Sequence, residues 1–316
     1  MLRTILTSNI EEAAGFIRSG EVVAFPTETV YGLGADALNA VAIQKLFQAK
    51  RRPSDNPMIV HVSDPSEIDG IGSNIPKSAI RLIEAFFPGP LTLVLTRDPR
   101  IPEVVSAGLT TVGVRMPDHP IAREFLRACG RPVVAPSANV SGRPSPTTWQ
   151  SVFEDLDGRI SCILKADPTR VGLESTVVDC TDKVPVVLRT GSITLGQLQS
   201  VEPGAVLGRA NDAAMGRSPG TRHRHYAPTA SVVLIDHPSD MAPDANAAYI
   251  GLAAHPDPES LVGYSVAADI ESYARRLFEF FRECDRRGVE TIYCQSVRRE
   301  GLGAALMDRI HRAVER

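Results

Sequence analysis

The sequence predicts an α/β protein built on a mixed sheet. Short apolar runs bounded by Pro or Gly alternate with stretches of helical period through the first two-thirds of the chain. A segment rich in Gly, Ala, Pro and Arg then interrupts the alternation, and beyond it the same alternation resumes on a smaller scale. With 316 residues the chain is long enough for one larger and one smaller unit, each with its own core.

Residues 21–25, 58–62, 91–95, 112–115, 132–135 and 175–179 read as strands. Between them Val41, Ile43, Leu46 and Phe47 recur near helical spacing after an Asn39 cap, and Ile121, Phe125, Leu126 and Cys129 repeat the pattern. Ile80, Ile83 and Phe87 lead a third helix to a stop at Pro88-Gly89-Pro90. The predicted organisation is a domain over 1–205, a basic linker over 206–228 and a small domain over 229–316. In the last, strands at 231–235, 247–251 and 291–294 surround an amphipathic helix carrying Ile270, Tyr273, Leu277, Phe278 and Phe281, and a final helix runs over 303–314. That spacing is Rossmann-like without the glycine fingerprint for a dinucleotide, so cofactor binding is not expected there.

Composition narrows the function classes. Hydrophobic residues make up 43% and charged residues 22%, and no apolar run approaches the roughly 20 residues that span a bilayer. The first seven residues lack a signal-peptide apolar region, which places the expected location in the cytoplasm. Cys129, Cys162, Cys180, Cys284 and Cys294 are odd in number and widely spaced, as reduced core thiols would be, and not as disulfides or a zinc site. A net charge of −3 gives no general attraction to nucleic acid, so any RNA contact needs a local patch.

Several segments offer chemistry. In Phe25-Pro26-Thr27-Glu28-Thr29-Val30-Tyr31-Gly32-Leu33-Gly34 a strand enters a turn with hydroxyls at Thr29 and Tyr31 and glycines that admit close backbone approach; an ordinary strand-to-helix turn explains it equally well. Lys50-Arg51-Arg52 ends a helix, where cations favour the dipole, but Pro53 and Pro57 stiffen the following loop and suit cations held for an anion. Arg115 closes an apolar strand and needs an anionic partner, either a ligand or a structural Asp or Glu. The loop Pro136-Ser137-Ala138-Asn139-Val140-Ser141-Gly142-Arg143-Pro144-Ser145 follows a strand end, where α/β proteins place ligands. Gly172-Leu173-Glu174-Ser175-Thr176 and Leu188-Arg189-Thr190-Gly191-Ser192 add further donors, and no P-loop is present.

In this order, together with Asn56-Pro57, His61, Pro88-Gly89-Pro90-Leu91-Thr92 and Val114-Arg115-Met116-Pro117, these segments resemble the YrdC-type threonylcarbamoyl-AMP synthases in their long form. Ser218-Pro219-Gly220 and His225-Tyr226-Ala227-Pro228 resemble that form's linker. The resemblance implies a YrdC-like twisted sheet with a concave basic cavity, and the reaction of L-threonine, bicarbonate and ATP to threonylcarbamoyl-AMP and pyrophosphate, with Mg²⁺ carried by the nucleotide. The product would pass to a transferase complex that modifies tRNA beside the anticodon. By family position Thr29, His61, Arg115, Ala135 and Ser175 would hold threonine. Arg52, Asn56, Thr111, Ser137, Ser145, Arg189 and Tyr226 would hold ATP, with Lys50 and Arg52 neutralising charge in the transition state. The linker would act as a lid, with Arg217, Arg222 and Arg224 adding positive field.

The chain departs from the family pattern in having residues 164–170 where a Gly-Gly turn is common before Glu174, and Thr221-Arg222-His223 in place of a Met-Lys-Tyr run. Two other readings stand beside this one. The first is weak binding of double-stranded RNA on the concave face, against which the near-neutral charge argues. The second is a carbamoyl-transfer module of the hydrogenase-maturation kind, which calls for paired Cys-x-x-Cys motifs that the chain lacks.

Overall fold

The computed structural model describes residues 3–208, 216–218, 226–242 and 246–314. Within them a large mixed sheet carries β1 (Ile5–Thr7), β2 (Val23–Phe25), β3 (Gly32–Asp36), β4 (Ile59–His61), β5 (Gly72–Ser73), β6 (Leu91–Arg97), β7 (Thr111–Arg115), β8 (Val133–Val134), β9 (Cys162–Leu164), β10 (Thr176–Asp179), β11 (Val186–Arg189) and β12 (Val206–Leu207). The strand order is β1-β9-β2-β3-β8-β4-β7-β6-β10-β11-β12, with β5 paired to β6. Helices α1 (Ile10–Arg18), α2 (Ala40–Lys50), α3 (Lys77–Phe86), α4 (Glu103–Ser106), α5 (Pro120–Cys129), α6 (Trp149–Leu156) and α7 (Leu195–Val201) connect these strands.

Local chemistry sets the helix limits. The Asn39 side chain accepts from the amides of Val41 and Ala42 to start α2, which Arg51 ends in the left-handed conformation. Pro120 opens α5 with its fixed φ, and Gly130 closes it at φ 64°. The turn expected after Phe25 is instead a β-hairpin: β3 pairs antiparallel with β2, Phe25 opposite Gly32 and Val23 opposite Gly34. The glycines serve packing. A Cβ at Gly34 would stand 3.0 Å from Val133 and 3.1 Å from the Phe25 ring.

The second sheet holds β13 (Ser231–Ile235), β14 (Ala247–Gly251), β15 (Gly263–Val266) and β16 (Thr291–Gln295) in the order β13-β16-β14-β15. Every pairing in it is parallel, with α8 (Ile270–Arg286) and α9 (Leu302–Val314) packed against it. Tyr273, Leu277, Phe278 and Phe281 of α8 are wholly buried, at about 1.5–3 kcal/mol for each side chain. The same apolar cluster takes in Val30 and Leu173 from loops of the large sheet, so the two cores meet without a solvent layer. All five cysteines are buried free thiols, and among the described residues no helix is long and apolar enough to cross a membrane.

Candidate active site

β4 and β7 lie side by side and parallel, with His61 level with Arg115 at the ends of both strands. A cleft with about 620 Å³ of empty volume, open solvent at its mouth included, lies there. Of the residues expected to bind, it brings together Thr29, Arg52, His61, Arg115, Ala135, Ser137, Ser175, Arg189 and Tyr226.

Arg115 is 4% exposed and has the carboxylate partner its position called for: Nη2 lies 2.6 Å from Glu28 Oε1. Nη1 donates to Thr29 Oγ1 at 2.9 Å and Nε to the Gly89 carbonyl at 3.3 Å. A guanidinium has five N–H donors, so the anchored fork still has hydrogens to offer an incoming carboxylate. His61 packs edge-on to Phe25, with ring centroids 6.1 Å apart. Burial, then the Arg115 charge, pushes its pKa down to about 3, so the ring is neutral at physiological pH. Nδ1 lies 3.3 Å from the Ile59 carbonyl, which only accepts; the proton therefore sits on Nδ1 and Nε2 is left as an acceptor.

Two further arginines line the cleft. Arg52 Nη2 donates to the carbonyls of Asn56 (3.1 Å) and Pro57 (2.9 Å), while its buried Nε has no hydrogen-bond partner among the described residues. Burial lowers the Arg52 pKa to about 10, which still leaves it charged. Arg189 wraps the Ser175 carbonyl with Nε at 3.1 Å and Nη2 at 3.0 Å. Extending the β4–β7 register back from Ile59↔Gly113 sets Thr111 level with Pro57, a cleft residue that follows Asn56. The buried Thr111 hydroxyl has no partner among the described residues.

Four expected residues do not line the cleft: Lys50, Asn56, Thr111 and Ser145. The Ser145 hydroxyl is engaged by Glu174 Oε1 at 2.5 Å. Lys50, expected to neutralise phosphate charge, is 1% exposed, and its ammonium donates to the carbonyls of Ser137 and Asn139. Desolvation lowers its pKa well below the usual value. Tyr31 likewise serves the fold, its hydroxyl bonding both backbone groups of Ala166. Arg217 is drawn away to Asp179 and Thr181, at 2.8 Å each. Arg222 and Arg224, with the rest of 219–225, lie outside the described residues.

Thr27, Val30, Pro57, Met58, Ile59, Pro136 and Glu174, which have no individual role in the sequence analysis, also line the cleft, as does Gly32, expected there to admit close backbone approach. Several stand beside an assigned residue, and adjacency was the available signal.

Residues 15–191 match a family model covering Sua5, YciO and YrdC proteins and described as telomere recombination. Residues 193–314 match a model described as the C-terminal domain of threonylcarbamoyl-AMP synthase. A threonylcarbamoyl-AMP synthase of Pyrococcus abyssi is 42% identical over 96% of this chain and 93% of its own. One from Bacillus subtilis is 40% identical over 96% and 92%. The chain belongs to the threonylcarbamoyl-AMP synthase family. The solved structure of P. abyssi Sua5 complexed with L-threonine superposes with a TM-score of 0.89 at 38% identity, covering 99% of this chain and 97% of that one. Escherichia coli YciO covers 60% of this chain at a TM-score of 0.52 and 26% identity, the share occupied by the large sheet. As a member of this family the chain is an enzyme that makes threonylcarbamoyl-AMP.

Proposed function

We propose that the cleft joins L-threonine, bicarbonate and ATP into threonylcarbamoyl-AMP and pyrophosphate. The observation that carries this is a single cleft that gathers an anchored Arg115 fork beside a neutral His61 with two further cations, Arg52 and Arg189. P. abyssi Sua5 has been solved with L-threonine, and its similarity over nearly the whole chain supports threonine as the amino acid here.

Arg115 holds the threonine carboxylate, with Thr29, Ala135 and Ser175 around the substrate. His61 Nε2 accepts a hydrogen bond from the substrate amine or hydroxyl. A group with so low a pKa is a poor base at neutral pH, so His61 binds and orients. The neutral amine attacks the bicarbonate carbon, the N–C bond forms, the C–OH bond breaks, and the hydroxyl leaves as water with an amine proton, giving the carbamate. A carbamate oxygen then attacks the α-phosphorus, the bond from that phosphorus to the bridging oxygen breaks, and pyrophosphate leaves. Arg52 and Arg189 stabilise charge on the phosphate oxygens, and positioning supplies much of the rate. Ser137, Asn56, Thr111, Ser145 and Tyr226 complete the nucleotide end. Mg²⁺ would arrive on the triphosphate, because the carboxylates in and beside the cleft, Glu174 and Glu28, are already paired with Arg309 and Arg115. The product would then pass to a transferase acting on tRNA, with the protein in the cytoplasm.

Pyrophosphate release from ATP tests the reading. Wild-type protein should release it only with both threonine and bicarbonate, and Arg115→Ala should abolish it. Release indifferent to threonine, or equal in the variant, overturns the assignment.

A further inference from the structure

Arg309, on α9 of the C-terminal domain, is fully buried yet points out of its own core. Its Nε lies 2.9 Å from Glu174 Oε2 in the cleft wall, and Nη1 lies 2.8 Å from Asp308. The guanidinium carbon stands 5.5 Å from the centroid of Tyr226, whose ring also stacks on Phe278 at 5.3 Å. Glu174 and Tyr226 line the cleft, whereas Arg309 does not. The other Glu174 oxygen accepts from Ser145, so one carboxylate links α9 to the serine loop.

We propose that Arg309 is a positioning residue for the nucleotide end of the cleft: it neutralises the Glu174 carboxylate and holds the Tyr226 ring, which lets that end accept a triphosphate. The inference rests on the nucleotide half of the proposed function. A buried carboxylate in the wall of a phosphate site is repulsive unless a cation is fixed beside it, and no side chain of the large-sheet domain makes an ion pair with Glu174 among the described residues. Burial by itself raises the Glu174 pKa; the Arg309 and Arg189 charges outweigh it and hold the group ionised. Neutralisation therefore has to come from a paired cation and not from protonation. The C-terminal domain completes the site through this one guanidinium while lending the cleft no lining residue from its own strands or helices.

The full-length protein is compared with Arg309→Met, Glu174→Gln and the double variant, reading KM for ATP, KM for threonine and the thermal midpoint. Arg309→Met should raise KM for ATP by about tenfold or more with KM for threonine little changed. Adding Glu174→Gln should recover most of that loss, because a neutral amide needs no cation. A rise shared equally by both substrates, or no recovery in the double variant, would show that Arg309 only supports the fold and would overturn the proposal. Should Arg309→Met not fold, Arg309→Gln decides. It keeps hydrogen-bond donors and much of the size but loses the charge, so a rise in KM for ATP alone supports the role, and an equal rise for threonine or no rise overturns it. Wild-type protein without threonine-dependent pyrophosphate release would overturn the proposed function itself, whereas a failure confined to the variants bears on Arg309 alone.

Discussion

In the large sheet the buried arginines end at the cleft. Arg115 and Arg189, 4% and 8% exposed, are anchored to neighbouring loops and still face the space where substrate would lie. In the C-terminal domain Arg282 and Arg309, 2% and 0% exposed, reach across to carboxylates of the other domain and line nothing. Arg282 donates to both oxygens of Asp155 and to the Pro144 carbonyl, and Asp155 also takes the Val140 amide and Arg143. One set of guanidinium groups is thus held ready for ligand, and the other holds the loops on which that readiness depends. A buried arginine marks a ligand only when its fork opens onto a cleft.

The largest effect that would break this comparison is at the domain contact. Arg282→Ala takes the buried bidentate partner from Asp155 and leaves it only Arg143 and the Val140 amide, which should cost about 3 kcal/mol in chemical denaturation, with m unchanged if unfolding stays two-state. A loss under about 1 kcal/mol would mean that solvent reaches the pair and that the interface is looser than its burial implies.

Next comes a cleft arginine. Arg52→Ala should lower kcat/KM for ATP about a hundredfold, near 2.7 kcal/mol, and leave calorimetric binding of threonine intact. An equal loss for threonine would merge the two ends of the cleft into one.

The large-sheet strands and most of the cleft were legible because β2, β4, β6, β7 and β10 are continuous apolar runs, and their ends carry the polar residues that the family resemblance names. β3 was hidden: Gly32 and Gly34 have no β propensity, and they fit only because Phe25 and Val133 occupy the space their side chains would fill. The three successive cations at 50–52 look alike in sequence. The helix end sends Lys50 under the Ser137–Asn139 carbonyls and Arg52 toward the cleft, a difference of direction that spacing does not encode. Arg309 was illegible for a related reason. It sits among Asp308, His311 and Arg312 in what reads as a solvated helix face, and only the packing of α9 toward Glu174 buries it.

His61 gives an effect that is absent at neutral pH and grows in acid. Folded, it protonates only near pH 3; unfolded, near 6.5. The unfolded chain binds the extra proton between those values, so stability is fully present above about 6.5 and falls as pH drops toward 3, by up to about 1.4 kcal/mol per pH unit. His61→Gln should flatten the pH profile of the denaturation free energy by that slope. A profile unchanged by the substitution would mean that the imidazole is hydrated.

The smallest effect separates burial from mere charge pairing at the same contact. One helical turn beyond Arg282 on α8, Arg286 pairs with Glu154 of α6 at 3.1 Å, with side chains 41% and 36% exposed. Both pairs join an arginine of α8 to a carboxylate of α6, and the access of water is their main difference, although Arg286 also bonds Glu279 and Asp155 also takes Arg143. Water screens the exposed pair and replaces either partner once it is removed, so Arg286→Ala should cost no more than about 1 kcal/mol, shrinking further in high salt. If Arg286→Ala proves as costly as Arg282→Ala and indifferent to salt, burial is not what distinguishes the interface arginines, and the cost would have to be sought in the second bond of Arg286, to Glu279, which also accepts from Ser151.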